Sequence, residues 1–150
     1  MTEIPERSVI DMPEPLMKLT FRSRPDRLKV VRASIHAAAR ACGFDEIACQ
    51  DIVLAVDEAC ANVIVHAYDW HDDSDIVIDI FKLEDGIKVR LRDFAESVDP
   101  TSIRAREPDA ASPGGLGSYF ISSIMDEATL SAAPDGKGNV LDLVKRSAVQ

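Results

Sequence analysis

The sequence predicts an α+β fold, a two-layer α/β sandwich in which helices cover one face of a mixed, mostly antiparallel sheet. Two observations carry this prediction. Strand-like segments come in neighbouring pairs joined by short turns, and two long helix-like segments follow the first strand. Hairpin neighbours pair in antiparallel fashion, and grouped helices favour a place on one face of the sheet. At 150 residues the chain is long enough for one domain with its own core.

The N-terminal segment, residues 1–15, contains three prolines among mixed charges. It is predicted to form a flexible arm. The remaining residues, 16–150, are assigned to a single domain. Its first segment, residues 16–22, alternates weakly between apolar and polar side chains, as a strand does.

Two helices are predicted next, and each has its own boundary signals. Pro25 stands in the first turn, where its missing N–H does no harm, and Gly43 ends this first helix. Asp45 can cap the second helix, which is predicted to run to about Tyr68. Trp70, just beyond that helix, is expected to be a packing anchor.

The second half of the chain predicts two hairpins separated by a long loop. Residues 75–83 are rich in β-branched side chains, and residues 87–92 alternate cleanly as the return strand. No periodic pattern is present over residues 93–113, which predicts a long loop of the kind usually kept for function. A short apolar helix follows, and residues 128–131 and 139–145 predict the closing hairpin.

Composition excludes several classes of function. The net charge of -9 argues against a general nucleic-acid binder, because phosphate backbones need a basic footprint. The N-terminus lacks an apolar signal segment, and no apolar run predicts a membrane span. The three cysteines form no CxxC pair, so they are expected to be reduced thiols in a cytoplasmic protein.

The second predicted helix carries a polar stripe beside its apolar one. Glu58, Asn62 and His66 are spaced four apart, so they stack along one face of a helix. This arrangement is typical of the wall of a polar site, with His66 as support at its edge. Asp57 is interpreted as an exposed or capping neighbour rather than a second base.

Two later segments add the chemistry of a nucleotide site. The glycine-rich turn 114–117 opens a helix, where free N–H groups and the helix dipole attract phosphate. Asp93, at a predicted strand end, can accept a hydrogen bond from an exocyclic amine. An asparagine oxygen such as that of Asn62 can bind Mg²⁺ beside phosphate oxygens, and Glu58 can deprotonate a hydroxyl.

Together these segments resemble the Bergerat-fold (GHKL-type) ATP-binding family, and within it the anti-sigma-factor serine/threonine kinases. The resemblance extends over about residues 16 to 146. The segments that carry it, in chain order, are Glu58, Asn62, 66–68, 93–95, 99–100, 114–117 and 125–127. Each motif alone is weak, but their order and spacing together are fairly specific.

The resemblance implies a role for each matching residue. Asn62 would hold Mg²⁺ against the phosphates of ATP, Glu58 would be the general base, and Asp93 would receive the adenine amino group. The segment 97–113 would be the ATP lid, from which Arg104 and Arg106 could reach the phosphates. The residues that would offer main-chain N–H groups to the phosphates are Gly115, Leu116 and Gly117.

Ala95 departs from the family pattern, which usually has glycine two residues after the adenine-binding aspartate. If that position needs a positive φ, alanine costs about 1–2 kcal/mol and weakens ATP binding roughly tenfold. If glycine serves only close approach to the base, a methyl group is tolerated.

The predicted function is an ATP-dependent protein serine/threonine kinase that acts as an anti-sigma factor. The resemblance implies that it phosphorylates a small antagonist protein (STAS-like), binds a sigma factor or another regulatory target, and forms a homodimer. Direct contact with nucleic acid or a membrane is not expected. The alternative is an ATP-binding anti-sigma or antagonist-binding module with little kinase activity. A detached histidine kinase catalytic domain is a weaker interpretation.

Overall fold

A computed structural model of the chain describes residues 14–96 and 121–147. The predicted arm lies almost wholly outside these residues, as do most of the long loop and the start of the helix after it. The elements are β1 (Met17–Arg22), α1 (Leu28–Ala41), α2 (Glu46–Asn62), β2 (Asp75–Leu83), β3 (Gly86–Asp93), β4 (Glu127–Ala132) and β5 (Asn139–Arg146). A 3₁₀ turn (Pro25–Arg27) precedes α1, a π-helical turn (Val63–Ala67) follows α2, and residues 121–124 are helical.

The five strands form one sheet in the order β1-β2-β3-β5-β4. Every pairing among these described strands is antiparallel. The α+β prediction is therefore confirmed, and where the sequence allowed a mixed sheet, the described part is antiparallel throughout. The register sets Asp93, the last residue of β3, directly opposite Asn139, the first residue of β5.

The helix boundaries follow the local signals. Pro25 opens the 3₁₀ turn that leads into α1, and Gly43 adopts a φ of 95° just after α1 ends. The Asp45 carboxylate accepts a hydrogen bond of 2.9 Å from the Ala48 N–H and so caps α2. His36 on α1 contacts Glu46 at 3.0 Å, a link between the two helices rather than part of a site.

The core lies between the two helices and one face of the sheet. Isoleucine and valine side chains from β2 and β3 alternate toward the helices, as expected for strands with one buried face. The largest fully buried side chains are Ile35, Ile52, Val56, Ile64, Ile76, Ile78, Ile80, Ile87, Val89, Leu91 and Leu143. Because α2 contributes to this core, its partly polar C-terminal half is held against the sheet.

The opposite face of the sheet carries charged side chains in a row across neighbouring strands. Arg90 donates to both carboxylate oxygens of Asp142, at 2.8 and 3.1 Å. On the other side of the row, Lys18 lies 3.7 Å from Asp79. These ion pairs mark the face that the described helices leave uncovered.

Trp70 corrects one expectation about the segment after α2. Its side chain is 61% exposed, so it is not a packing anchor. Asp69 and Trp70 both have positive φ, 50° and 66°, which turns the chain abruptly at the helix end. The indole is therefore directed away from the core, although a large apolar residue beside a helix end usually packs. None of the helices in the described ranges has the length and apolar character to span a bilayer.

Candidate functional site

Glu58 and Asn62 lie one turn apart on the C-terminal half of α2. Both side chains are half-buried, and neither forms a hydrogen bond to a described residue. Their neighbour Asp57 accepts a hydrogen bond of 3.0 Å from Arg32 on α1. The carboxylate of Asp57 thus links α2 to α1 and is neither fully exposed nor a helix cap, whereas among the described residues Glu58 and Asn62 have no such partner.

His66 does not extend the polar stripe in the way that its spacing predicts. The α-helix ends at Asn62, and the Tyr68 N–H bonds to the Val63 oxygen five residues earlier at 2.8 Å. A π-helical turn changes the rotation per residue, so the four-residue spacing no longer aligns side chains. The side chain of His66 is exposed, and the three-residue stripe is reduced to Glu58 and Asn62.

Asp93 is a buried carboxylate at the end of β3, 5% exposed. Its Oδ1 accepts hydrogen bonds of 3.0 Å from the Ala95 N–H and from Nδ2 of Asn139. Burial raises the pKa of Asp93, and the donors on Asn139 and Ala95, with nearby Arg92, lower it. The predicted place of Asp93 at a strand end is as expected, and its contact with a nucleobase stays a prediction.

The backbone at Asp93 can lie this close to the next strand because residue 138 is glycine. Gly138 has a φ of 104°, and a Cβ there would overlap the main-chain oxygen of Asp93 and lie 2.9 Å from the Phe94 Cα. Sequence reasoning missed both Gly138 and Asn139. The available signal was the glycine-rich turn 136–138 directly before a strand, which indicates close approach of two backbones.

The Tyr68 hydroxyl connects the helix end to the same strand end. It donates to the Asp75 oxygen and accepts from the Phe94 N–H, both at 2.7 Å. Burial raises the pKa of Tyr68, and nearby Asp93 and Asp75 add to the increase. Tyr68 therefore stays neutral and fixes the segment after Asp93 relative to the helix that carries Asn62.

Ala95 resolves the question raised by its departure from the family pattern. Asp69 and Trp70 are the non-glycine residues with positive φ in the part of the chain that the structure describes, and Ala95 is not among them. Its partly buried methyl group packs against the core. The strain argument for weakened ATP binding therefore does not apply to alanine at this position.

The remaining predicted site residues lie outside the described residues. These are Arg104, Arg106, Gly115, Leu116 and Gly117. Of the predicted site, the structure thus describes Glu58 and Asn62 on α2, and Asp93 and Ala95 at the end of β3.

The chemistry of the described residues suits a nucleotide-binding site better than a metal site built from protein side chains alone. A buried carboxylate with converging donors suits an amine donor, and the Asn62 amide is available as a single oxygen ligand. Within residues 14–96 and 121–147 no group of three or more His, Cys, Asp and Glu side chains could hold a metal ion. Mg²⁺ bound near Asn62 would take most of its ligands from phosphates and water, which is usual for this ion.

Comparison with known proteins gives concordant results. The model of the histidine kinase-like ATPase domain family matches residues 21–145. The serine-protein kinase RsbW of Listeria monocytogenes serotype 4a (strain HCC23) is 28% identical over 120 residues, covering 75% of this chain and 76% of the relative. RsbW of Bacillus pumilus (strain SAFR-032) is 26% identical over 127 residues, with 78% of each chain covered.

Among solved structures, a chain of the crystal structure of the SiaB–SiaC complex from Pseudomonas aeruginosa has a similar fold. The TM-score is 0.65 with 16% identity, over 96% of this chain and 98% of that one. At this identity the likeness concerns the fold alone. Since the family model covers most of the length, including Glu58, Asn62, Asp93 and Asn139, the chain belongs to the histidine kinase-like ATPase domain family.

Proposed function

We propose that this protein is an ATP-dependent protein serine/threonine kinase of the partner-switching kind. Its substrate would be a small antagonist protein (STAS-like), and its second partner a sigma factor or another regulatory target. The observation that carries the proposal is the buried, hydrogen-bonded carboxylate of Asp93 at the end of β3. Similarity to serine-protein kinases named RsbW supports the kinase and the partner.

In this proposal the described residues bind the two ends of ATP. Asp93 accepts the hydrogen bond of the adenine amine, next to the methyl group of Ala95. Asn62 would hold Mg²⁺, and the chemistry that this ion would supply is neutralisation of charge on the phosphate oxygens. Main-chain N–H groups of Gly115–Gly117 would bind the phosphates, and Arg104 and Arg106 would approach them from the lid.

Glu58 is proposed as the general base. Its carboxylate would accept the proton of the antagonist's serine or threonine hydroxyl while that oxygen attacks the γ-phosphorus. The bond from the γ-phosphorus to the bridging oxygen breaks, and ADP leaves. Positioning and charge neutralisation do most of the work in phosphoryl transfer, which suits a small domain with one carboxylate base.

We expect Glu58→Ala to bind MgATP as the wild type does and to transfer phosphate about 10²–10⁴-fold more slowly, the usual loss for a general base. Calorimetric titration would measure binding, and mass spectrometry of the antagonist would measure transfer. Asp57→Ala is the matched control, because this adjacent carboxylate pairs with Arg32. Undiminished transfer by Glu58→Ala would show that the base lies elsewhere.

Asn62→Ala tests the phosphate end of the site. We expect this variant to fold as the wild type does and to bind MgATP more weakly. ATP binding by the wild type without phosphorylated antagonist would instead identify a binding module, the alternative that Ala95 motivated. Failure of the wild type to bind MgATP would refute both functions.

The family resemblance also leads us to propose a homodimer in the cytoplasm. Sedimentation equilibrium would distinguish a dimer from the 16.4 kDa monomer. A mass that stays monomeric at the concentrations used for activity would remove the dimer from the proposal.

A further inference from the structure

Asn139 is buried against the carboxylate of Asp93, outside every segment that carried the predicted site. It is 4% exposed. Its Nδ2 lies 3.0 Å from Oδ1 of Asp93 and 3.3 Å from the main-chain oxygen of Glu96. Both neighbours are acceptors, so hydrogen bonding places the NH₂ end of the amide toward Asp93. The side chain thus uses both amide hydrogens on the segment that ends β3.

Two hydrogen-bond donors of the described residues converge on one oxygen of the Asp93 carboxylate. The Ala95 N–H and Asn139 Nδ2 share Oδ1, and the Asn139 main-chain N–H also lowers the pKa of Asp93. An ionised carboxylate has about four lone-pair positions. Because both of these hydrogen bonds are made to Oδ1, Oδ2 is the carboxylate oxygen at which we expect a ligand amine to donate.

We propose that Asn139 is a positioning residue for the nucleotide: it holds the Asp93 carboxylate ionised and oriented, so that one lone pair faces the ligand amine. This role rests on the ATP binding proposed above. Asn139 acts through Asp93 and makes no contact with the reacting phosphate.

The other side chains around Asp93 contribute little to keeping its carboxylate ionised, so this role is assigned to Asn139. On its own strand, Arg92 donates to both carboxylate oxygens of Asp135, at 3.1 and 3.0 Å, so its charge is shared. From the helix end, the Tyr68 hydroxyl is neutral and bonds to the Phe94 N–H instead. Glu96, which follows on the chain, is exposed and carries no positive charge that could stabilise an ionised Asp93. The amide of Asn139 is therefore a main stabiliser of the charged form.

Two variants of Asn139 make opposite predictions. Asn139→Leu removes the donor at similar volume, so the pKa of Asp93 rises and a protonated Asp93 no longer accepts from the amine. We expect a tenfold to hundredfold loss of MgATP affinity, the worth of about one charge-assisted hydrogen bond. The loss should grow as the pH falls from 8 to 6. In Asn139→Asp two adjacent carboxylates share one proton, so affinity should be lowest at pH 8 and recover toward pH 6.

Calorimetry with MgATP at each pH, with the wild type under identical conditions, cancels the titration of the phosphates themselves. A purely structural role would lower the affinity of both variants with the pH dependence of the wild type, and that result would overturn the proposal. Circular dichroism would check folding, and the near-isosteric Asn139→Asp keeps the test usable should Asn139→Leu unfold.

A nucleotide-free measurement separates this inference from the proposed function. Carbon-13 NMR of the aspartate carboxyls would follow Asp93, assigned with Asp93→Asn. Asp93 should titrate at a higher pH in Asn139→Leu than in the wild type. Equal titration would overturn the role of Asn139 alone, whereas a wild type that fails to bind MgATP overturns the proposed function and with it the ligand of this site.

Discussion

The carboxyl of Asp93 is under two opposing influences within one buried site. Burial raises its pKa from the ordinary value of 3.8, and the surrounding donors and Arg92 lower it, with a net increase. Between 3.8 and the raised value, the folded protein holds a proton that the unfolded chain has lost. Across that window the contribution of Asp93 to stability therefore falls as the pH rises.

Asp93→Asn should isolate this effect, because the variant has no group that titrates there. Its free energy of unfolding, relative to the wild type, should increase as the pH rises through the folded pKa of Asp93. Urea denaturation at a series of pH values would measure it, and MgATP titration should show weakened binding.

Asp135→Asn provides the control with the opposite sign. The Lys137 N–H and Arg92 lower the pKa of Asp135, so its contribution is present above 3.8 and disappears as the pH falls through the lowered pKa. The free energy of unfolding of Asp135→Asn, relative to that of the wild type, should therefore increase as the pH falls. Parallel curves for the two variants would contradict the assignment of opposite environments.

At the scale of elements, the turn between β4 and β5 determines how closely β5 approaches β3. Ala133 and Gly138 close this turn with a hydrogen bond of 2.9 Å from the Ala133 N–H to the Gly138 oxygen. Both Gly136 and Gly138 have positive φ, 76° and 104°, but only at Gly138 would a Cβ meet another strand. Comparison of the two glycines therefore distinguishes the cost of a positive φ from the cost of overlap with a neighbouring strand.

Gly136→Ala should cost about 1–2 kcal/mol of unfolding free energy, the price of a left-handed alanine. Gly138→Ala should cost at least about 3 kcal/mol, because a more restricted φ adds to overlap with the Asp93 backbone. It should also weaken MgATP binding, since Asp93 would be displaced. Chemical denaturation of both variants gives the comparison, and equal costs would refute the close-approach role of Gly138.

The elements that sequence predicts well are those with local signals. Asp45 and Gly43 mark helix ends by side-chain oxygen and backbone freedom, both of which act within a few residues. The π-helical turn after Asn62 has no such signal, because it changes the rotation without changing composition. Trp70 was misplaced for a related reason: residue type indicates burial, whereas a left-handed backbone decides direction.

The residues of the candidate site likewise fall into two groups, those with a local sequence signal and those without one. Glu58 and Asn62 are predicted because four-residue spacing is visible in a helix, and Asp93 because it ends a strand. Asn139 lies 46 residues beyond Asp93, and only the β3–β5 register places it opposite. Pair contacts of this kind follow from strand order, which a single sequence does not specify.

For the whole molecule, the described residues of the candidate site come from α2, β3 and β5, which contribute to one hydrophobic core. We expect residues 16–150 to unfold as one cooperative unit. Trp70 is the single tryptophan, and its main-chain N–H donates to the Ile64 oxygen at 2.8 Å, so its fluorescence anisotropy reports on the loop after α2. Far-ultraviolet circular dichroism reports on the helices.

The two signals should give coincident urea transitions, since the same packing holds both regions. Two separate midpoints would show two independently folding units and would contradict the single domain. Because the indole is exposed in the folded protein, we expect its emission wavelength to change little on unfolding, so anisotropy is the better observable.

The Tyr68 hydroxyl has a consequence for the thermodynamics of ligand capture. It joins the strand end after Asp93 to a continuous helical segment that includes Asn62, six residues earlier. Asp93, proposed to bind adenine, and Asn62, proposed to hold the metal ion, are thus held in fixed relative positions by the fold itself. A nucleotide that bridges them need not order either one, so the entropy lost in arranging these two groups belongs to folding and is not subtracted from affinity.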